Sequence, residues 1–278
     1  MLLLLYYSDR GEEHPAQRLT RVSPEKDAKR PRENPGAVFF ISLNDSRKRF
    51  YVITLEEPSL LEAGLSEGDP ARTIEWAVNT VGVDQIVVAT SFGPAGMVNL
   101  HMVSEIAPQV PVVFVDTLYH FDETLELADI ARRRYDLDLH VYRAADSRED
   151  FERVYGERLW EHDLEKFHDL TKVKPMERAL DGISGWITGR RRDQSSTRAD
   201  LPLVEYNGRM KINPLVGWSR EDVWAFIRDN EIPYNRLHDL GYASIGDEPL
   251  TTPTLLGEEE RAGRWRGQGR LECGLHTL

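Results

Sequence analysis

An α/β fold is what this sequence predicts: a parallel sheet with helices on both faces, followed by a mobile C-terminal tail. Three observations carry the prediction. From about Pro70, short β-rich runs alternate with helical stretches, the pattern of strands joined by helical crossovers. Two of those runs lead directly into polar loops, one rich in glycine and one in arginine. After Asn230 the regular pattern fades, and 241–278 has much Gly, Arg and Glu with little apolar periodicity. The 278 residues, 40% of them hydrophobic, suffice for one sizeable domain with appendages.

Residues 1–60 read as an N-terminal extension. Within it, 14–36 is Pro-rich, charged and short of aliphatics, and is expected to be mobile. The apolar runs 37–43 and 49–55 flank Asn44-Asp45-Ser46 as a hairpin, suited to packing or to a dimer edge. The main domain spans 61–240, with strands expected over 85–90, 112–116, 137–142 and 185–189. A helix over 94–106 follows the first strand, Pro94 suiting its first turn. Phe121, Leu125, Ala128, Ala131 and Tyr135 fall at helical spacing and mark a helix with one buried face. Runs 203–206 and 210–212, joined by Asn207-Gly208, form a second hairpin. Ser219 and Asp222 make a capping box ahead of Val223, Trp224, Phe226 and Ile227. Residues 241–278 form the tail, which holds the only Cys.

Composition excludes several functions. A net charge of −12 argues against coating nucleic acid or an anionic membrane. The excess acid is uneven: residues 1–57 hold 9 acidic and 10 basic side chains, so the remainder is strongly negative. The apolar run 2–7 is far below the roughly 20 residues of a spanning helix and lacks a basic leader, so a cytoplasmic protein is expected. One Cys cannot make an intrachain disulfide, a CxxC pair, a thiolate zinc knuckle or an all-cysteine iron-sulfur cluster. No metal site is expected.

Four places could carry chemistry. The strand 85–90 runs into Ser91-Phe92-Gly93-Pro94-Ala95-Gly96 and a helix, which presents backbone N–H groups and a positive dipole end to an anion; many such turns bind nothing. The loop is neither a Walker loop nor a dinucleotide fingerprint. The second strand ends at Asp116-Thr117, where ligands of parallel sheets sit. Asp116 could accept from a ribose hydroxyl or adenine amine, or cap the next turn. The run Arg190-Arg191-Arg192-Asp193-Gln194-Ser195-Ser196-Thr197-Arg198 offers bidentate donors for phosphate or sulfate, against the alternative of a solvated loop. Cys273 lies between Glu272 and Gly274 with Arg264, Arg266, Arg270 and His276 nearby, and positive neighbours lower a thiol's pKa below about 8.5. That favours a reactive thiolate over an incidental thiol. With no second Cys, a thiol from another molecule must resolve any oxidised adduct.

At these motifs the sequence resembles the adenylyl-sulfate reductase family. The resemblance runs from about Thr73 to Leu278 and rests on TSFGPAGMVNLHM, VDTLYHFDET, KVKPMERAL, GRRRDQSSTRADLP, KINPLVGW, GYASIGDEPLTT and the terminal ECGLH. It implies an adenine nucleotide α-hydrolase-like (PP-loop) fold. It also implies that the Cys273 thiolate attacks the sulfonate sulfur of a bound adenylyl sulfate, leaving an S-sulfonate from which thioredoxin or glutaredoxin releases sulfite. By the same resemblance Ser91, Phe92 and Gly93 hold the nucleotide, Asp116 and Thr117 lie at its adenosine side, and Arg191, Arg192, Gln194, Ser195, Arg198 and Lys211 bind phosphate and sulfate. His276 orients the tail or supports the thiolate, and a homodimer is expected.

The departures narrow the reading. Relatives that use the substrate without a 3′-phosphate usually hold an iron-sulfur cluster through Cys pairs, at places filled here by His168-Asp169 and by Asp247 with Leu250. No cluster is therefore expected, which favours 3′-phosphoadenylyl sulfate, with a cluster-free enzyme on the unphosphorylated form as the alternative. The stretch ASIGDEPLTT otherwise resembles the cluster-type branch. The Ser91 loop lacks the Asp of ATP-splitting relatives, having Ala95 or Gly96 there, which argues against an ATP-dependent ligase. A non-catalytic nucleotide sensor is disfavoured by the intact ECGLH.

Overall fold

A computed structural model describes residues 37–42, 50–55, 65–268, 272 and 274. The chain divides into two compact units, Met1–Gly64 and Leu65–Leu278. In the first, β1 (Ala37–Ser42) pairs antiparallel with β2 (Phe50–Leu55), in register from Ala37↔Leu55 to Ser42↔Phe50. This is the expected hairpin. Its turn at Asn44-Asp45-Ser46, and the stretch 14–36, lie outside the described residues.

The second unit opens with α1 (Pro70–Val81), a helix with no counterpart in the sequence reading. Asp69 caps it by accepting from the Arg72 amide at 3.0 Å, and Ile74 and Ala77 are buried. There follow β3 (Ile86–Ala89), α2 (Pro94–Ile106), β4 (Val112–Val115), α3 (Asp122–Arg134) and β5 (Leu139–Tyr142). A helical excursion comes next: α4 (Arg148–Tyr155), α5 (Leu159–His162), α6 (Leu164–His168), a π turn over Asp169–Val173, and α7 (Lys174–Ala179). The chain then re-enters the sheet as β6 (Gly185–Ile187), adds the hairpin β7 (Val204–Tyr206) and β8 (Met210–Ile212), and closes with α8 (Arg220–Asp229). The Ser219–Asp222 capping box is present in both directions.

The six strands lie in the order β5-β4-β3-β6-β8-β7, all neighbours parallel except β7 and β8. Alternation along the strands splits the core. Val87, Val113 and Trp186 pack with Met176, Ala179 and Leu180 of the α7 region, while Val88, Phe114 and Ile187 point to the opposite face. From β3 the chain moves one way to β4 and β5, then returns to place β6 on the other side of β3. The loops leaving β3 and β6 therefore diverge, opening a crevice at the carboxyl ends of the strands.

The segment 241–268 is irregular, as its lack of periodicity implies, yet anchored. Leu250 and Trp265 are 4% and 2% exposed and join Tyr119, Phe151, Trp160 and Phe167 in an aromatic cluster. The Trp265 amide donates to the Leu250 carbonyl at 2.9 Å. Isolated large residues hold an irregular chain in this way, and helix or strand periods cannot find them.

Candidate functional site

The crevice begins at the end of β3. Thr90 Oγ1 accepts the Phe92 amide at 2.9 Å, and Phe92 adopts φ +57°, a left-handed conformation costly for a residue with a bulky side chain. Its ring is clamped in the core, edge-on to Phe114 at 5.0 Å, which offsets that cost. The kink brings Ser91 and Gly93 into the crevice wall beside the first turn of α2. Two glycines let the β6 exit approach that turn: a Cβ on Gly189 would lie 3.0 Å from the Gly96 nitrogen, and one on Gly96 would lie 2.5 Å from Thr90 Oγ1.

The opposite wall is the loop after β6. Arg190, Arg191, Gln194 and Arg198 line it, and the three arginines are buried. Arg191 Nη2 donates to Glu260 at 2.7 Å and Nη1 to Asp193 at 3.1 Å. Arg198 holds Glu272 bidentately, with Nε and Nη2 each at 2.8 Å. Arg190 pairs with Glu205; burial first, and then the charge of Arg198, push its guanidinium down to about 10. Gln194 ties the loop together, accepting from the Arg191 amide at 3.1 Å and from Arg198, and donating to the Gly189 carbonyl at 3.3 Å.

The floor is a buried polar cluster. Asp247, fully buried, accepts from Thr117 Oγ1 at 2.8 Å and from Lys172, with His168 Nε2 at 3.9 Å. Burial opposes ionisation of Asp247, but Lys172 and His120 outweigh it and hold the carboxyl well below the usual range. His120 lines the crevice with Nε2 on the Val115 carbonyl at 3.2 Å, and burial lowers its pKa.

The crevice lining carries seven cationic side chains, Lys172, Arg190, Arg191, Arg198, Arg220, Arg261 and Arg264, and the carboxylates Asp247 and Glu260, while Glu205, Asp193 and Glu272 outside the lining pair with Arg190, Arg191 and Arg198. In a protein of net charge −12, a concave surface of this sign focuses potential on an anion.

Among the residues expected from the sequence, Ser91, Gly93, Thr117, Arg191, Gln194 and Arg198 meet in this crevice. Five others are directed elsewhere. The Phe92 side chain is core, leaving only its backbone near the site. Asp116 caps the following turn, accepting from the Leu118 amide at 3.0 Å and from Arg143 Nε at 2.7 Å. Arg192 forks onto Glu67, both contacts at 2.6 Å, because its place in a 3-10 turn points it away from Arg191. Ser195 bonds Thr197 on the exposed side. Lys211 lies buried over the Trp186 ring, where burial and then Arg190 lower its pKa to about 8. Cys273 and His276 lie outside the described residues. The sequence reading did not assign Lys172, His120, Arg220, Asp247, Glu260, Arg261 or Arg264; the only signal for several of them was membership of the KVKP and SIG motifs or the basic tail.

Fold and site together define an α/β protein of the PP-loop type with an arginine-lined crevice at the strand ends. A family model described as "Phosphoadenosine phosphosulfate reductase domain" matches residues 85–253. A phosphoadenosine phosphosulfate reductase of Emericella nidulans is 38% identical over 251 residues, 86% of this chain and 81% of that one. An adenosine 5′-phosphosulfate reductase of Halalkalibacterium halodurans is 41% identical over 216 residues, covering 76% and 93%. The crystal structure of a phosphoadenylyl-sulfate reductase from Candida auris in a phosphate complex superposes with a TM-score of 0.64 at 36% identity, covering 72% of this chain and 99% of that one. An FMN adenylyltransferase of Candida glabrata shares the fold alone, at 14% identity and a TM-score of 0.50. The chain belongs to the phosphoadenosine phosphosulfate reductase family and is an enzyme.

Proposed function

We propose that this chain reduces 3′-phosphoadenylyl sulfate to sulfite and adenosine 3′,5′-bisphosphate, a step of sulfate assimilation. The cluster of arginines lining a crevice at the strand ends carries this reading, because such a lining suits a multiply charged anion. The β3 loop, through Ser91, the Phe92 backbone and Gly93, holds the nucleotide together with Thr117. Arg191, Gln194 and Arg198 take its phosphate and sulfate groups, and buried Lys211 adds to the field behind them. The thiolate of Cys273 attacks the sulfonate sulfur, the bond from that sulfur to the phosphate oxygen breaks, and the nucleotide departs with the electron pair. Cys273 S-sulfonate remains. A dithiol protein such as thioredoxin or glutaredoxin attacks the cysteine sulfur, sulfite leaves, and the second thiol of that protein resolves the mixed disulfide. His276 supports the thiolate or the tail.

The chemistry is proposed to run without an iron-sulfur cluster, since one Cys in 278 residues cannot supply its ligands. The place of Asp247 also favours this, because its carboxylate is already committed to Lys172 and Thr117. A cytoplasmic homodimer remains part of the proposal. No described helix is long and apolar enough to cross a membrane.

The test is sulfite release with thioredoxin and dithiothreitol, comparing the two adenylyl sulfates in parallel. Faster turnover of the 3′-phosphorylated form is expected. Preference for the other form would favour the second reading, an adenylyl-sulfate reductase without a cluster, for which the 41% identity to an enzyme of that name speaks. No sulfite from either would sink both.

Neighbouring arginines give a sharper check. Arg191→Ala is expected to weaken nucleotide binding by about 1.5–3 kcal/mol, the scale of a charged hydrogen bond. Arg192→Ala removes a partly exposed pair with Glu67 and a bond from Nε to the Leu201 carbonyl at 2.8 Å, none of them in the crevice lining, and its nucleotide affinity should match the wild type by calorimetry. Equal losses in both would contradict the wall described above.

A further inference from the structure

Two arginines of the crevice wall are already gripped by carboxylates that the C-terminal segment supplies. Arg191 Nη2 meets Glu260 at 2.7 Å. Glu272 gathers four donors: Arg198 Nε and Nη2 at 2.8 Å, Arg261 Nη2 at 3.2 Å and Thr197 Oγ1 at 3.3 Å. Arg191, Arg198, Arg261 and Glu260 all line the crevice. A carboxylate between two guanidinium groups and a hydroxyl occupies the kind of donor set that a phosphate or sulfonate oxygen pair would take. The two carboxylates also differ. Burial raises the pKa of Glu260 despite Arg191. For Glu272 burial is outweighed by Arg198 and Arg261, and the pKa falls.

We infer that the crevice holds two separate anion subsites, Arg191 and the Arg198–Arg261 pair, and that Glu260 and Glu272 are specificity-determining residues which fill them until a ligand's own anionic groups displace them. The inference rests on the nucleotide reading above. An anion entering the Arg198–Arg261 subsite must expel Glu272, and one entering the Arg191 subsite must expel Glu260 from Nη2 while Asp193 keeps its contact with Nη1 at 3.1 Å; a ligand with two separated anionic groups must expel both glutamates. Each carboxylate therefore sets a threshold that only a strongly charged group at that position overcomes. Glu272 immediately precedes Cys273 in the chain, so an anion arriving at Arg198 also frees the residue next to the proposed nucleophile.

The experiment is calorimetric binding of adenosine 3′,5′-bisphosphate and of adenosine 5′-monophosphate to the full-length wild type, Glu260→Gln and Glu272→Gln. The bisphosphate should bind about tenfold tighter to each variant, the scale of one charge-assisted contact no longer contested. The monophosphate, with one anionic group, should tighten in only one of the two, and that variant identifies its subsite. Unchanged or weaker bisphosphate binding in both variants overturns the inference, as does equal tightening of the monophosphate in both. If a glutamine variant fails to fold, the Glu→Asp variant carries the same expectation at smaller size, since it keeps the charge and shortens the reach. A wild type that binds neither nucleotide would sink the nucleotide reading itself, whereas wild-type binding without tightening sinks only this inference.

Discussion

Cys273→Ser is expected to lower sulfite release by about a thousandfold or more while nucleotide affinity stays within a few-fold. Serine keeps the size of the side chain but presents a hydroxyl, which stays protonated at a pH where a thiol can ionise. The comparison separates chemistry from binding, because the anion-binding wall is built by other residues. Mass spectrometry supplies a second reading. Wild-type protein mixed with substrate and no external thiol should gain one sulfonate group per chain, and the serine variant none. Turnover retained by the variant would end the thiolate mechanism.

The second large effect is on stability. Asp247→Asn is expected to cost about 3–5 kcal/mol, because Lys172 is left as a buried cation without its counter-charge. The sign with pH follows from the direction of the shift. The folded carboxyl titrates below its ordinary value of 3.8, so its contribution is fully present above that pH and is lost as pH falls through the depressed value. The gap between wild type and variant in urea unfolding should thus be full at neutral pH and shrink below about pH 4. Replacing both partners, as Asp247→Leu with Lys172→Met, should recover part of the loss, since an apolar pair needs no mutual compensation. A single-variant cost under about 1 kcal/mol would show that the floor of the crevice is not held by this pair.

Much of this fold could be read from one-dimensional patterns because local physics produces them. The helix over Pro94–Ile106 has the bounds expected, since Pro94 suits its first turn and its apolar residues continue to the end. The helix over Asp122–Arg134 and the two hairpins were legible for similar reasons, but the buried face of that helix was read only in part: Ala128 and Ala131 are buried as expected, whereas Leu125 is exposed and Leu127 takes the buried place. Helix α1 was not assigned, although Asp69 and Pro70 form a recognisable start. The excursion from α4 to α7 was also missed, because short helices broken by a π turn carry no sustained period.

The sequence by itself determined the class of the protein. The glycine turn, the arginine run and the terminal ECGLH are contiguous motifs, and their chemistry depends on residues that the chain keeps adjacent. The tertiary structure decided how these pieces face one another. Arg191 and Arg192 are neighbours in sequence, yet one lines the crevice and the other reaches Glu67, because a single residue in a tight turn reverses a side chain's direction. Lys172 and Asp247 are 75 positions apart and became one buried pair only when the segment after α8 folded onto the excursion. The carboxylates on Arg191 and Arg198 arrive from 69 and 74 residues away. Pairings over such distances leave no local period or propensity in the chain, so packing alone reveals them.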